Sequence, residues 1–315
     1  MTDRFIKTKS ISRPEGDRDS GVPAVELATL HQMFMDKVAG ETLAVHGVDF
    51  SSAPRRAKPI VVASGQMHLD KRQLRLTELI RLESLEAFEH WLALPAPSVM
   101  GFDLPFGLPR ELVCELGWPE TYEACIKTFA SYSRDDLRVT FKAFCDARPV
   151  GGKFAHRGTD RPAGSSPSMK WVNPPVAWML HAGVPRMLAC GLTLPGQSAG
   201  DPGRLALEAY PGLLARSVSS ASYKSDTKAK QTVERLQVRK QIVDAAIQGL
   251  TRPGMPIQMS DAQKTTLIED ASGDSLDAVL CLLQAAWGVS RPEADFGLTP
   301  GFDRLEGWIV GAGVT

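Results

Sequence analysis

The feature that most constrains this chain is an acidic residue placed directly after a short apolar strand. Residues 43–48 (LAVHGV) form the apolar run, and Asp49 follows it where the sequence changes to small residues. A run of this length with such a boundary predicts a buried strand. The carboxylate needs a partner there, because an unpaired charge away from water costs roughly several kcal/mol or more. A metal ion, a backbone amide or another side chain can fill that role.

The residues after Asp49 favour a metal ion and a phosphate-bearing substrate. Ser51 and Ser52 are small and leave room for a ligand beside the carboxylate. Arg55 follows within the same segment and carries a charge suited to phosphate. We therefore expect Ser51 and Arg55 to contact substrate.

A second acidic residue is predicted to lie beside Asp49. Strands are expected over residues 59–64 and 67–76, paired antiparallel through a turn near Gly65, and a helix capped by Ser84 follows. The fourth strand, residues 98–104, carries Asp103 in the segment GFDLPFGLP. A right-handed crossover makes the first and fourth strands parallel neighbours, so Asp49 and Asp103 should emerge at one sheet edge.

Three further acids occupy comparable positions later in the chain. Glu208 lies in a predicted fifth strand over residues 204–210, and Asp274 and Asp277 open an apolar helix over residues 274–287. The segment 307–314 (GWIVGAGV) is predicted to be a short closing strand. Converging carboxylates repel one another, and Mg²⁺ or Mn²⁺ ions with oxygen ligands relieve the repulsion. Two such ions about 4 Å apart would support phosphodiester hydrolysis.

The motifs GVDFS, GFDLPFG, LEAYP and GDSLDAVLCLLQA resemble the DUF429 family of predicted nucleases in the ribonuclease H-like superfamily. The resemblance covers about residues 43 to 310. It implies an α/β fold with a mixed five-stranded sheet, an antiparallel meander plus parallel strands, flanked by helices. It also implies that Asp49, Asp103 and Asp277, with Asp274, bind metal. Glu208 matches the acid of the family's EAYP-like strand and is assigned with Asp49, Asp103 and Asp277 to catalysis.

Each acid also has a purely structural interpretation. Asp49 and Asp103 are both placed to form Asx-turns with the residues that follow them. Asp274 suits a helix N-cap, and Glu208 suits a salt bridge to an Arg or Lys. Asp277 stands beyond the capping position, which favours a ligand role.

A loop rich in Gly, Pro and Ser, residues 149–175, carries the strongest local positive charge. Lys153, Arg157 and Arg161 are its candidate substrate-binding residues, and loops beyond about 15 residues are usually functional or disordered. Basic and acidic residues number 36 each, so any nucleic-acid surface must be such a local patch. Lys224 is assigned to solvated surface.

The remaining features define the organisation of the chain. Residues 1–22 are predicted to be a disordered tail, and residues 23–315 one ribonuclease H-like domain with a helical and basic-loop insertion at about 110–200. Unpaired cysteine spacing and the lack of a signal or membrane segment predict a cytoplasmic protein. No protein partner is predicted.

Three functions remain open: a two-metal nuclease acting on DNA or RNA, an ATP-dependent phosphotransferase of the actin and sugar-kinase type, and a non-catalytic binding protein. The phosphotransferase requires a late glycine-rich loop, for which Gly311 and Gly313 are the nearest candidates.

Overall fold

The computed structural model describes residues 26–38, 42–69, 73–252 and 254–314, without the side chains of residues 292–294. The predicted disordered tail, residues 1–22, lies outside the described residues. Among the described residues, no helix combines the length and the apolar character needed to cross a membrane.

The centre of the fold is a mixed sheet. Its strands are β1 (Thr42–Asp49), β2 (Ile60–His68), β3 (Gln73–Leu82), β4 (Ser98–Asp103), β5 (Leu192–Thr193), β6 (Asp201–Glu208) and β7 (Ile257–Gln258). Within the described residues they form one seven-stranded sheet in the order β5-β6-β4-β1-β2-β3-β7. β1, β2 and β3 form an antiparallel meander, and β1, β4, β6 and β5 run parallel. The fold is therefore α/β, and β1 and β4 are the parallel neighbours that the crossover rule predicts.

Helices cover both faces of the sheet. They are α1 (Leu27–Lys37), α2 (Leu85–Leu92), α3 (Arg110–Glu115), α4 (Tyr122–Ser131), α5 (Arg134–Asp146), α6 (Asp160–Ala163), α7 (Val176–Ala189), α8 (Pro211–Val218), α9 (Val233–Gln248), α10 (Asp261–Glu269) and α11 (Asp274–Val289), with 3-10 turns at Lys228–Lys230 and Pro292–Gly297. Helix α11 lies against β1, β2 and β4 on one face. Helices α3 to α7 and strand β5 lie between β4 and β6 in the chain, where the insertion was predicted.

Three local predictions were wrong. The sheet has seven strands within the described residues, because the short strands β5 and β7 add to its two edges. Strand β2 continues through Gly65 to His68 and β3 runs from Gln73 to Leu82, so Gly65 does not form the turn between them. Gly65 instead lies at an irregularity in the β2–β3 pairing, where a Cβ would lie 2.8 Å from the Arg75 carbonyl oxygen. The segment 307–314 forms turns instead of a strand, with Gly307, Gly311 and Gly313 at positive φ.

The alternation of side chains along each strand divides the core into two layers. In β1, Val45 packs with α11, whereas Val48 packs in the opposite layer with Phe88 and Phe102. Because successive side chains point to opposite faces of a sheet, Gly47 and Asp49 lie on the α11 side with Val45. The same alternation along β4 places Gly101 and Asp103 on that side.

Candidate active site

The ends of two parallel strands place the first two carboxylates together. Asp49 and Asp103 are direct register partners between β1 and β4. Because side chains alternate between the two faces along each strand, the side chains of Asp49 and Asp103 both face α11. Asp49 is 9% exposed and Asp103 is half-buried.

Two glycines allow α11 to lie directly on these strands. A Cβ on Gly47 would lie 2.1 Å from both the Ala278 carbonyl oxygen and the Leu282 amide nitrogen. A Cβ on Gly101 would lie 2.4 Å from the Cys281 carbonyl oxygen. Real side chains cannot occupy such space, so the glycines permit backbone contact between helix and sheet.

This close approach brings Asp277, in the first turn of α11, to the strand ends. One carboxylate oxygen from each of Asp49, Asp103 and Asp277 lies within 4.8 Å of the other two. Asp277 is fully buried. In the described part of the chain, neither the Asp49 nor the Asp103 carboxylate accepts a hydrogen bond from another residue. The three side chains form what we call the acidic cluster.

The electrostatics of the acidic cluster are unfavourable to three negative charges. Burial, followed by the charge of Asp277, raises the pKa of Asp49 well above its usual range. Burial raises the pKa of Asp103 to about 7; Lys224 opposes this shift and Asp277 adds to it. Burial also raises the pKa of Asp277, although Lys224 and Tyr223 oppose it.

Lys224 and Tyr223 occupy the two oxygens of Asp277. The Lys224 ammonium forms a salt bridge with Asp277 Oδ2, and the Tyr223 hydroxyl donates a hydrogen bond to Oδ1 at 2.5 Å. The prediction that Lys224 is merely solvated was therefore wrong. Nothing in the local sequence links residues 223 and 224 to the acids; the loop before α9 carries them across the N-terminus of α11.

Asp274 does not belong to the acidic cluster. Its carboxylate accepts a hydrogen bond from Lys58 Nζ at 2.7 Å, and the same ammonium contacts Asp226 at 3.0 Å. The helix begins after Gly273, so Asp274 is also not the N-cap that its position suggested. Asp274 thus has a cationic partner in Lys58. It was predicted to bind metal but lies outside the acidic cluster.

The Glu208 side chain, at the end of β6, turns away from α11, although it lines the same cavity as Asp103. Its neighbour Leu207 packs with α11, so the alternation along β6 turns Glu208 to the other layer. There it forms a salt bridge with Arg157 Nη2 at 2.7 Å and accepts a hydrogen bond from the Phe106 amide at 3.0 Å. Arg157 also pairs with Asp160 at 3.0 Å.

This network changes the interpretation of two predicted site residues. Arg157 is 3% exposed and Glu208 is 3% exposed, and each satisfies the charge of the other. Arg157 and Glu208 are therefore each other's charge partners in a buried network, with Asp160 as a second partner of Arg157. The salt-bridge interpretation of Glu208 is the one that the geometry supports. The loop that holds Arg157 is correspondingly ordered and includes α6.

The other predicted substrate contacts lie at the surface. Ser51 is half-buried next to Asp49, and Arg55, Lys153 and Arg161 are exposed. The backbone of Arg55 pairs with that of Lys58, which fixes the turn after β1.

One cation that the sequence did not single out contacts the segment after Asp49. Arg134, at the start of α5, donates from Nη2 to the Ser52 carbonyl at 3.0 Å and lies 5.7 Å from the centre of the Trp178 ring. Within the described residues no carboxylate is within salt-bridge distance of this guanidinium. Burial, followed by the charge of Arg186, lowers the pKa of Arg134. Its helical position alone gave no signal for this placement.

A cavity of about 90 Å³ adjoins the acidic cluster. Asp103, Arg157 and Glu208 are its charged lining residues, and Ser165, Ser166, Met179 and Tyr210 also line it. The fold and site together define an α/β protein with three convergent carboxylates beside a small cleft. Comparison of the chain with protein-family models, curated proteins and solved structures finds no match. The functional conclusion therefore depends on the site geometry.

Proposed function

We propose that this protein is a Mg²⁺- or Mn²⁺-dependent phosphodiesterase that acts on nucleic acid at the acidic cluster. The observation that carries the proposal is the convergence of Asp49, Asp103 and Asp277 from three different elements onto a space 4.8 Å across. Carboxylate oxygens are the ligands that these hard cations prefer.

The strand arrangement supports a ribonuclease H-like assignment within the α/β class. An antiparallel β1–β3 meander, with β4 and β6 added in parallel beside β1, is the pattern that the DUF429 resemblance implies. Acids at the ends of β1 and β4 and in the last long helix are the positions that it assigns to metal ligands.

The donor set fits a divalent cation. Asp49 and Asp103 accept no hydrogen bonds from the described residues, and the pKa of each acid in the acidic cluster is raised. All three acids can therefore be ionised together near neutral pH only if more positive charge lies nearby. Asp49, Asp103 and Asp277 would hold the ion. When bound, such an ion activates water and stabilises negative charge at a phosphodiester.

Cations at the rim of the site suit a phosphate-bearing substrate. The Ser52 carbonyl accepts a hydrogen bond from Arg134. Ser52 follows Asp49 by three residues, so the Cα atoms of Ser52 and Asp49 lie within about 11 Å of each other. A guanidinium without a carboxylate partner matches the geometry of a phosphate. We assign Arg134, with the exposed Arg55, to phosphates next to the reacting one, and Lys153 and Arg161 to a more distant contact.

The phosphotransferase alternative receives no comparable support. Gly311 and Gly313 lie in turns, and a Cβ added to them would lie 3.4 Å from the Trp287 ring and 3.9 Å from the Trp308 ring, respectively. Gly311 lines only a small cavity of about 20 Å³, which it shares with Arg252 and Trp287.

The test is cleavage of labelled single-stranded, duplex and branched DNA and RNA by wild type and Asp49→Asn, with Mg²⁺, Mn²⁺ or EDTA. We expect Asp49→Asn to abolish metal-dependent cleavage, while its melting temperature in EDTA is unchanged or raised because repulsion within the acidic cluster falls. Asp261→Asn, an exposed acid in α10, is the matched control and should cleave normally. Metal-independent cleavage, or a clearly lower melting temperature for Asp49→Asn, would contradict the proposal.

A further inference from the structure

Lys224 places a positive charge inside the group of acids that would bind metal. Its ammonium forms a salt bridge with the carboxylate of Asp277, one of the three residues of the acidic cluster. The side chain is nevertheless 41% exposed. Lys224 is therefore a charged group that both touches the acidic cluster and remains open to an incoming substrate.

The segment that carries Lys224 is held on several sides. Arg239, a buried residue of α9, donates to the Tyr223 carbonyl at 2.7 Å, and Arg235 donates to the Lys224 carbonyl. The Ser225 amide donates to the Ala271 carbonyl at 3.1 Å. These contacts fix the backbone on both sides of residue 224.

Two further contacts make the placement of Lys224 specific. Lys58 bridges Asp226 and Asp274, which ties the segment to the first turn of α11. Gly273, at φ 78°, leaves the space that Lys224 fills, since a Cβ there would lie 2.7 Å from the Lys224 Cβ. The lysine thus occupies a formed position and is not a chance surface contact.

The charges and oxygens of the site determine how many divalent ions it can hold. Three carboxylates and one ammonium leave two negative charges, which one divalent cation neutralises. A second divalent cation would leave a net positive charge in a largely buried site of the substrate-free protein, which is unfavourable. Each oxygen of Asp277 already has one partner, Tyr223 or Lys224, which leaves fewer lone pairs to coordinate a second ion.

We infer that the substrate-free protein binds one divalent cation at the acidic cluster, and that Lys224 stays in place as the second positive charge. This inference rests on the proposed function and replaces the expected second metal ion with a side chain. In the reaction, Lys224 would face the phosphodiester with its ammonium and stabilise negative charge there. Tyr223 and Arg239 act as positioning residues. Tyr223 holds the Asp277 carboxylate, and Arg239 holds the backbone of the segment that carries Lys224.

The first test is the number of Mn²⁺ ions bound by the metal-free wild-type protein, measured by calorimetric titration and by loss of the free Mn²⁺ signal in electron paramagnetic resonance. We expect one ion per chain, lost in Asp49→Asn. Two ions per chain, both lost in Asp49→Asn, would overturn this inference while leaving the proposed function intact. No bound ion would overturn both.

The second test uses Lys224→Met, with Lys224→Arg as the conservative variant and the exposed Lys228→Met as control. A single and a double positive charge about 5 Å apart repel by enough to change a binding constant roughly tenfold even at the dielectric constant of water. Lys224→Met should therefore bind Mn²⁺ at least about tenfold more tightly and yet lose nucleic-acid cleavage. Lys224→Arg should keep near wild-type Mn²⁺ affinity and recover part of the cleavage.

The combination of tighter metal binding and lost cleavage separates this role from two simpler ones. If Lys224 only blocked the site until metal arrived, Lys224→Met would bind Mn²⁺ more tightly and cleave as well as or better than wild type. If Lys224 only supported the fold, Mn²⁺ affinity would fall or stay unchanged. Either result overturns the inference, and the wild-type ion count decides the question if Lys224→Met fails to fold.

Discussion

Replacing Asp103 by Asn should stabilise the metal-free protein at alkaline pH. Asparagine has nearly the same shape as the protonated acid and removes the charge that burial disfavours. Because the folded-state pKa of Asp103 is raised to about 7, its contribution to stability is fully present below about pH 4 and is lost as pH rises through 7. The free energy of unfolding of wild type therefore falls over that pH interval. The contribution of residue 103 to this fall is absent from Asp103→Asn.

The size of the effect follows from the same pKa. A shift from 3.8 to about 7 corresponds to roughly 4 kcal/mol at most. Asp103 is half-buried and interacts with both Lys224 and Asp277. Its replacement also changes the interactions of those two residues, so the measured difference in the free energy of unfolding is smaller than this maximum. We expect Asp103→Asn to exceed wild type by about 1–3 kcal/mol at pH 8.5 in EDTA, and to match it near pH 4.

The assay is guanidinium unfolding in EDTA at pH 4, 6 and 8.5. Asp303→Asn is the control of opposite sign: burial alone would raise the pKa of Asp303, but hydrogen bonds from Arg110 lower it. Its contribution is present above about pH 4 and lost on acidification, so Asp303→Asn should be less stable than wild type at pH 8.5. An Asp103→Asn protein less stable than wild type at pH 8.5 would refute the reasoning and identify Asp103 as a structural turn residue.

Three other substitutions test the supporting structure. Gly47→Ala should push α11 off the sheet, cost about 1–3 kcal/mol or more in guanidinium unfolding and weaken Mn²⁺ binding, whereas Gly152→Ala, whose Cβ meets nothing closer than 3.8 Å, should do neither. Arg157→Met should cost about 3–5 kcal/mol in the same assay, because it leaves buried carboxylates unpaired, and a loss below about 1 kcal/mol would contradict the buried network. Neutralising Lys153 and Arg161 together should reduce the slope of the logarithm of the nucleic-acid binding constant against the logarithm of salt concentration by roughly 1.4 to 1.8. An unchanged slope would show that neither residue contacts phosphate.

The sequence alone was enough to place Asp49 and Asp103 side by side. An apolar run that ends in an acid indicates a strand end, and the crossover rule pairs β1 with β4 in parallel. The register pairing of Asp49 with Asp103 follows that logic. Asp277 was also preferred over Asp274 from sequence, since it lies beyond the capping position of an apolar helix.

Glu208 shows where strand-end reasoning is incomplete. It also ends a parallel strand beside β4, but its partner in register is Phe102, one residue before Asp103. With a period of two residues, that offset sends the side chain to the opposite face, where the buried Arg157 meets it. Register between strands distant in sequence depends on packing, which local patterns do not encode.

Lys224 and Arg134 show what the tertiary structure alone decided. Neither belongs to a motif: Lys224 contacts Asp277 from the loop before α9, and Arg134 contacts the Ser52 carbonyl from the start of α5. A single charged residue in a polar stretch looks the same in sequence whether it faces solvent or an acid, because its environment is created by elements packed around it. The acids could thus be predicted from strand ends and helix starts, whereas the cations that balance them were determined by long-range packing.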